Sequence, residues 1–191
     1  MTTIKLPAPI EMTMPFVQVL GRRRSRREFS RDALDPALLS ALLWACAGRN
    51  SADGRRTAPS ALNCREVLCY VFDDKGVWLY HAEDHSLELI AEGDKRAHTS
   101  LAQDFVKTAP VTLLLAVDQS LAQPLSGSRT ADICRSVDVG AMMQNALLAC
   151  AAMGLAAVPR ASLNAEDVLR AMGRTAAQLD PQIAVTVGFP A

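Results

Sequence analysis

The chain carries no net charge, because 20 basic residues are set against 20 acidic ones among 191. A neutral chain has no global field with which to hold a polyanion. Bulk nucleic-acid binding is therefore not expected, and any bound anion must be met by a local cluster. The five cysteines, Cys46, Cys64, Cys69, Cys134 and Cys150, are odd in number and include no C-x-x-C pair. That pattern argues against a disulfide framework or a zinc knuckle and reads as reduced, mostly buried thiols. His81 and His85 fall where two strands meet at a turn, which does not converge them as a helix face would, so no metal site is expected. No Gly-x-Gly-x-x-Gly follows a strand and there is no Gly-x-x-x-x-Gly-Lys, so the usual dinucleotide and phosphate-loop fingerprints are missing. No serine or cysteine sits in a recognisable nucleophile context. The first ten residues lack an apolar run of signal-peptide length, which points to a cytoplasmic location. Residues 139–158 are almost wholly apolar, yet Gln144 and Asn145 would need partners in mid-bilayer, and Gly154 and Pro159 break the stretch. No membrane span is expected.

What is present is a chain half hydrophobic by composition and long enough for one domain with a real core, over residues 1–191, with 1–14 read as an extended arm. Asp35 as N-cap and Pro36 at the first helical position begin a helix with Leu38, Leu39, Leu42, Leu43 and Cys46 on one face and Gly48 as its stop. Strands are expected over 66–72, 77–81 and 87–90, and again over 111–117 and 183–187. Asn164, with Asp167 three residues later, caps a short helix running to Gly173. Residues 118–130 read as the principal loop. A helix over 132–153, about 33 Å long, is apolar around most of its circumference. Its small residues, Ala149 among them, predict a homodimer contact. The fold class is α+β: a mixed, largely antiparallel sheet flanked by helices.

Two segments carry ligand chemistry. Arg22-Arg23-Arg24-Ser25-Arg26-Arg27 places five guanidinium groups within six residues, and such forks match phosphate oxygens bidentately. Read alone, the run is also what a solvated basic stretch looks like. In Arg55-Arg56-Thr57-Ala58-Pro59-Ser60-Ala61-Leu62-Asn63, a turn exposes backbone N–H groups, and Asn63 supplies both a donor and an acceptor, which suits a heterocycle edge. A helix cap is the plainer reading of the same residues.

Taken in order, Arg23-Arg24-Ser25-x-Arg27-x-Phe29, Ala58-Pro59-Ser60-Ala61-x-Asn63, Asp138-x-Gly140-x-x-x-Gln144-Asn145 leading to Gly154-Leu155, and Val187-Gly188-Phe189-Pro190 resemble the FMN-dependent nitroreductase family. Residues 55–61 and the hairpin around Trp78 resemble most the branch containing the peptide-azoline dehydrogenases. The resemblance implies a homodimer with FMN in two interface sites and NADH or NADPH as co-substrate. A small electrophile such as a nitroaromatic or quinone would be reduced, with no catalytic side chain required. It places Arg23, Ser25 and Arg24 at the FMN phosphate and ribityl chain and Arg27 near flavin N1 and O2. Asn63, with Ser60 and Ala61 beside it, falls at the pyrimidine edge across the dimer. In Arg160, Ala161 and Ser162 a backbone N–H would face N5 and O4. Two alternatives stay open: a flavin-dependent dehydrogenase of a peptide-derived or other small substrate, and a non-catalytic flavin-binding or nucleic-acid-binding module. The chain ends at Ala191 without the basic tail that clamps the phosphate in longer members.

Overall fold

The structure, a computed structural model, describes residues 2–191. Seven strands form one sheet: β1 Thr3–Lys5, β2 Val67–Phe72, β3 Gly76–His81, β4 Ser86–Glu92, β5 Val111–Asp118, β6 Ala156–Arg160 and β7 Leu179–Gly188. Their order is β1-β4-β3-β2-β5-β7-β6, and every neighbouring pair is antiparallel. The expected parallel component reduces to one isolated bridge, Ser25 with Ala157. Helices α1 Phe16–Arg22, α2 Pro36–Ala47, α3 Phe105–Thr108, α4 Arg129–Ala152 and α5 Ala165–Ala171 complete the chain.

The central strand β5 is buried along nearly its whole length because both faces of the sheet are covered. Alternate side chains point to opposite faces of a strand. Leu113, Leu115 and Val117 therefore join the core under α2 and α4, while Leu114 and Ala116 join the one under α5. Pro181 is tolerated in β7 because it lies beyond the reach of β6 and opposite a register shift at Leu115/Ala116.

The caps at Asp35 and Asn164 form as read: their side chains accept from the N–H groups of Ala37 at 2.7 Å and Asp167 at 3.3 Å. Two expectations are corrected. The long helix begins earlier, at Arg129, because Ser128 accepts from Ala131 N–H and supplies the cap. Only one side of it is buried; Ile133 and Val137 are 51% and 57% exposed, whereas Ala149 is buried within its own chain. The N-terminal arm is tied to the sheet at its start, where β1 pairs with β4 and Leu6 N–H bonds His85 O at 3.1 Å. Among the described residues no helix is long and apolar enough to cross a membrane.

Candidate functional site

Residues 23–30 leave α1 in extended form and run along the β6 edge of the sheet. Ser25 bridges Ala157, Arg26 N–H donates to Ala157 O at 2.9 Å, and Ser30 N–H to Phe189 O at 3.0 Å beside the Phe29–Pro190 bridge. Three pieces distant in sequence, 23–30, 154–157 and 187–190, meet at one edge. Gly188 makes this possible, because a Cβ there would stand 2.6 Å from Pro110 Cδ and 3.3 Å from the Phe29 ring.

A cavity of about 430 Å³ opens along this edge, walled by Arg22, Arg24 and Arg26 and by Cys150, Gly154 and Leu155. Among the described residues none of Arg22, Arg23, Arg24, Arg26 and Arg27 forms an ion pair. Arg24 alone finds an acceptor, the carbonyl of Arg23 at 2.8 Å. Arg23 is half-buried, and Ser25 and Arg27 are exposed. Arg22, Arg24 and Arg26, three like charges on one cavity without a counter-charge, make this edge a ready site for an anion, while Arg23, Ser25 and Arg27 do not line it. Arg22 and Arg26 line the cavity although no particular role was read for them. An extended segment against a sheet edge, which presents both its sides, is what brings them in.

The second segment is fastened from inside. Asp138 of α4 accepts the N–H of Ala61 at 2.7 Å. Ser60 Oγ accepts the N–H of Arg65 at 2.8 Å and donates to Glu66 Oε2 at 3.1 Å. Between these ties Leu62, Asn63 and Arg65 have φ of 52°, 55° and 55°, a left-handed region that costs a side-chain-bearing residue about 1–2 kcal/mol. Arg65 Nε donates to Asn63 Oδ1 at 3.1 Å, and its Nη1 reaches Glu83 at 3.2 Å. With its oxygen held, the exposed Asn63 has its NH₂ left to offer, while the Ser60 hydroxyl and Ala61 N–H are already spent within the chain. Glu66 and Arg65 hold the segment but were not singled out from the sequence. A carboxyl at the mouth of a central strand, where an ionised group is out of place, was the available signal.

Arg160 points away from both. Its guanidinium is buried on the other face of the sheet, donating to Thr186 Oγ1 at 3.1 Å, Thr99 O at 2.7 Å and Gln103 Oε1 at 3.3 Å. Burial without a carboxylate partner brings its pKa down to about 10. Only the main chain of Arg160 is free for a ligand on the opposite side; Ala161 and Ser162 beyond it are exposed. His81 turns to Glu88 and His85 to Tyr80, and no group of metal-ligating side chains gathers among the described residues.

Asp138, which holds the Asn63 loop, and Cys150, which lines the arginine cavity, are about 18 Å apart along α4 at about 1.5 Å per residue. One chain brings the first and fourth motifs to the Gly154–Leu155 end of the third and holds the second at its Asp138 end.

The sheet order, the single long helix across it and the arginine-lined edge define an α+β oxidoreductase fold. The chain belongs to the nitroreductase family, whose family model matches residues 20–189. It is similar to a provisionally named nitroreductase of Methanocaldococcus jannaschii, 30% identical over 82% of this chain and 83% of that one. A crystal structure of a provisionally named nitroreductase from Ralstonia eutropha JMP134 is 35% identical with a TM-score of 0.91, covering 99% of this chain and 90% of the other. Another from Desulfovibrio desulfuricans, in complex with FMN, shares the fold at 24% identity with a TM-score of 0.67, covering 93% and 87%.

Proposed function

We propose that the chain is an FMN-dependent oxidoreductase that draws hydride from NADH or NADPH and passes it to a small electrophile such as a nitroaromatic or quinone, in the cytoplasm and as a homodimer. The observation that carries this reading is the row of arginines along the β6 edge with no carboxylate to neutralise it. The FMN bound by a family member of the same fold supplies a dianionic phosphate of matching chemistry. The donor set fits that cofactor: guanidiniums and the Ser25 hydroxyl for the phosphate, the spare Asn63 amide for a carbonyl of the pyrimidine edge, and the exposed main chain at Ala161 and Ser162 for the ring.

FMN held by these residues would supply the hydride chemistry of the reaction. The chain's part is placement and charge. Arg23 and Ser25 would anchor the phosphate, with Arg22, Arg24 and Arg26 on the adjoining cavity wall. Arg27 stabilises negative charge at the N1 and O2 side. No side chain need act as acid, base or nucleophile, because alignment and exclusion of water are what hydride transfer requires.

The separation of the Asn63 loop from the arginine edge supports a site closed by a second copy, with Asn63 coming from the partner. Apolar surface for that contact is present: Phe16, Val17, Ile133 and Val137 are all more than half exposed. A groove of about 410 Å³ also runs between Met12, Met14, Phe16 and the Leu148–Ala152 stretch of α4. Likeness of residues 55–61 and of the β3–β4 hairpin to the peptide-azoline branch supports a second reading, in which the same site oxidises a peptide-derived substrate.

The test is the visible spectrum of purified protein, with FMN added if it is isolated colourless, followed by NADH and NADPH under anaerobic conditions. Stoichiometric flavin bleached by either supports the proposal. Flavin that neither bleaches, but that a peptide or other donor does, supports the second reading, and failure to bind FMN at all refutes both.

A further inference from the structure

Glu66 is fully buried and Asp138 is 4% exposed, and the two carboxyls flank the loop that carries Asn63. Each is tied to it: Asp138 through Ala61 N–H, and Glu66 through Ser60 Oγ, which in turn takes Arg65 N–H. The other oxygen of Glu66, Oε1, has no donor among the described residues. An ionised carboxylate in that position would be buried, half-solvated by one serine and set against a second carboxylate. Two like charges at one buried site do not both ionise.

No cation relieves the pair. Arg56 and Arg65, adjacent to the loop, turn to the surface residue Glu83 at 2.8 and 3.2 Å, and Arg49 turns the same way. Arg135, one turn earlier on α4, pairs with Asp132. On β5, Asp118 engages Ser120 and Leu121 with its side chain and gives only its N–H to Glu66 O at 2.8 Å. Cys64, on the loop, has its thiol pushed up by burial above all, and so stays neutral.

We propose that Glu66 as a neutral acid and Asp138 as its acceptor form a buried latch, and that this latch positions the strained loop at residues 60–65 for the flavin. They are positioning residues, and the role rests on the function proposed above. The proton supplies what Oε1 lacks, and Ala61 N–H meets Asp138. Burial first, then the charge of Asp138 and a hydrogen bond between the carboxyls, push the Glu66 pKa up. The protonated form goes with the held loop, so the latch is complete below the ordinary carboxylate range and is given up as pH rises through the raised value.

Two measurements test this separately from the flavin function. In flavin-free protein, infrared difference spectra between wild type and Glu66→Gln, taken from low to neutral pH, should show a protonated-carboxyl stretch present only in the wild type and persisting above the usual carboxylate range. Its absence overturns the latch whatever FMN does. With FMN, affinity followed by flavin fluorescence should be level at low pH and then fall by up to about tenfold per pH unit above the Glu66 pKa. Glu66→Gln keeps an N–H toward Asp138; it should match the wild-type affinity at low pH within about twofold and lose the pH dependence. Glu66→Ala, with neither oxygen nor N–H, should bind about tenfold more weakly at every pH, the worth of a typical hydrogen bond or two. A wild-type pH profile that persists in Glu66→Gln overturns the proposal. FMN that binds at no pH refutes the flavin function, and the latch is then decided by the infrared band alone.

Discussion

Replacing Arg23 by alanine should separate phosphate anchoring from every other contribution to flavin binding. The Arg23 side chain makes no ion pair among the described residues, and its structural duty, closing α1 through its N–H on Val19 O at 3.0 Å, belongs to the backbone and survives the substitution. Folding stability should therefore change by no more than about 0.5 kcal/mol. Hydrogen bonds to a charged group contribute about 1.5–3 kcal/mol, equivalent to a rise in Kd of about 10- to 150-fold. Because Arg22, Arg24 and Arg26 line the adjoining cavity on long flexible stems, part of the loss is recovered, and a change of about 10- to 30-fold is the expected outcome. The assay is a pair of fluorescence titrations on each protein, one with FMN and one with riboflavin, which has no phosphate. The substitution should weaken FMN and leave riboflavin nearly unchanged, and the FMN effect should shrink as salt is raised, since the arginines are largely solvent-accessible. Equal weakening of both ligands, or none in a folded variant, would refute the assignment of the phosphate to this edge.

Val137 lies on the exposed side of α4, so Val137→Asp should turn a dimer into a folded monomer by light scattering; an unchanged mass with intact helical signal removes this face from the contact. Arg27→Gln should leave the flavin bound but lower its midpoint potential by about 30 mV, the two-electron equivalent of about 1.4 kcal/mol, and an unshifted redox titration would return Arg27 to the solvent. His85 is held neutral, with Nδ1 meeting the Tyr80 hydroxyl at 2.8 Å and Nε2 meeting Ser40 Oγ at 2.7 Å and Pro7 O at 3.1 Å; burial above all keeps its pKa below the usual value. The unfolded chain takes up the proton first, so this stability is present above about pH 6.5 and is lost as pH falls below it. Thermal unfolding of wild type should therefore fall more steeply than that of His85→Gln on acidification, with faster exchange of the Leu6 amide, and parallel profiles would show that His85 is not responsible.

Features encoded within a turn or two of their own residues were legible directly. Asp35 and Pro36 start α2 where the capping rule puts it, Asn164 starts α5, and the apolar runs of β2, β3, β5 and β7 mark the sheet, because a cap or a strand period is set by neighbours in sequence. The order of the four motifs likewise led to the family. The strand β6 was not legible: three of its five residues are Ala or Pro, and it is a strand only because β7, more than twenty residues later, pairs with it at the edge. Nor was the docking of the arm, whose β1 is three residues long and owes its form to β4.

At the site the division is the same. The arginines and Asn63 announced their chemistry through residue type and spacing, which are properties of a side chain wherever it sits. Their surroundings did not, because burial and hydrogen bonding are decided by what packs from other elements. The Asn63 oxygen is held by Arg65, the side chain of Arg160 lies under Thr99 on the far face, and Glu66 has its pKa raised by burial and by Asp138 of a helix seventy residues away. Sequence alone determined which groups could meet an anion and a heterocycle. Tertiary structure decided which of them are free to do so, because a donor already satisfied inside the fold has little left to give a ligand.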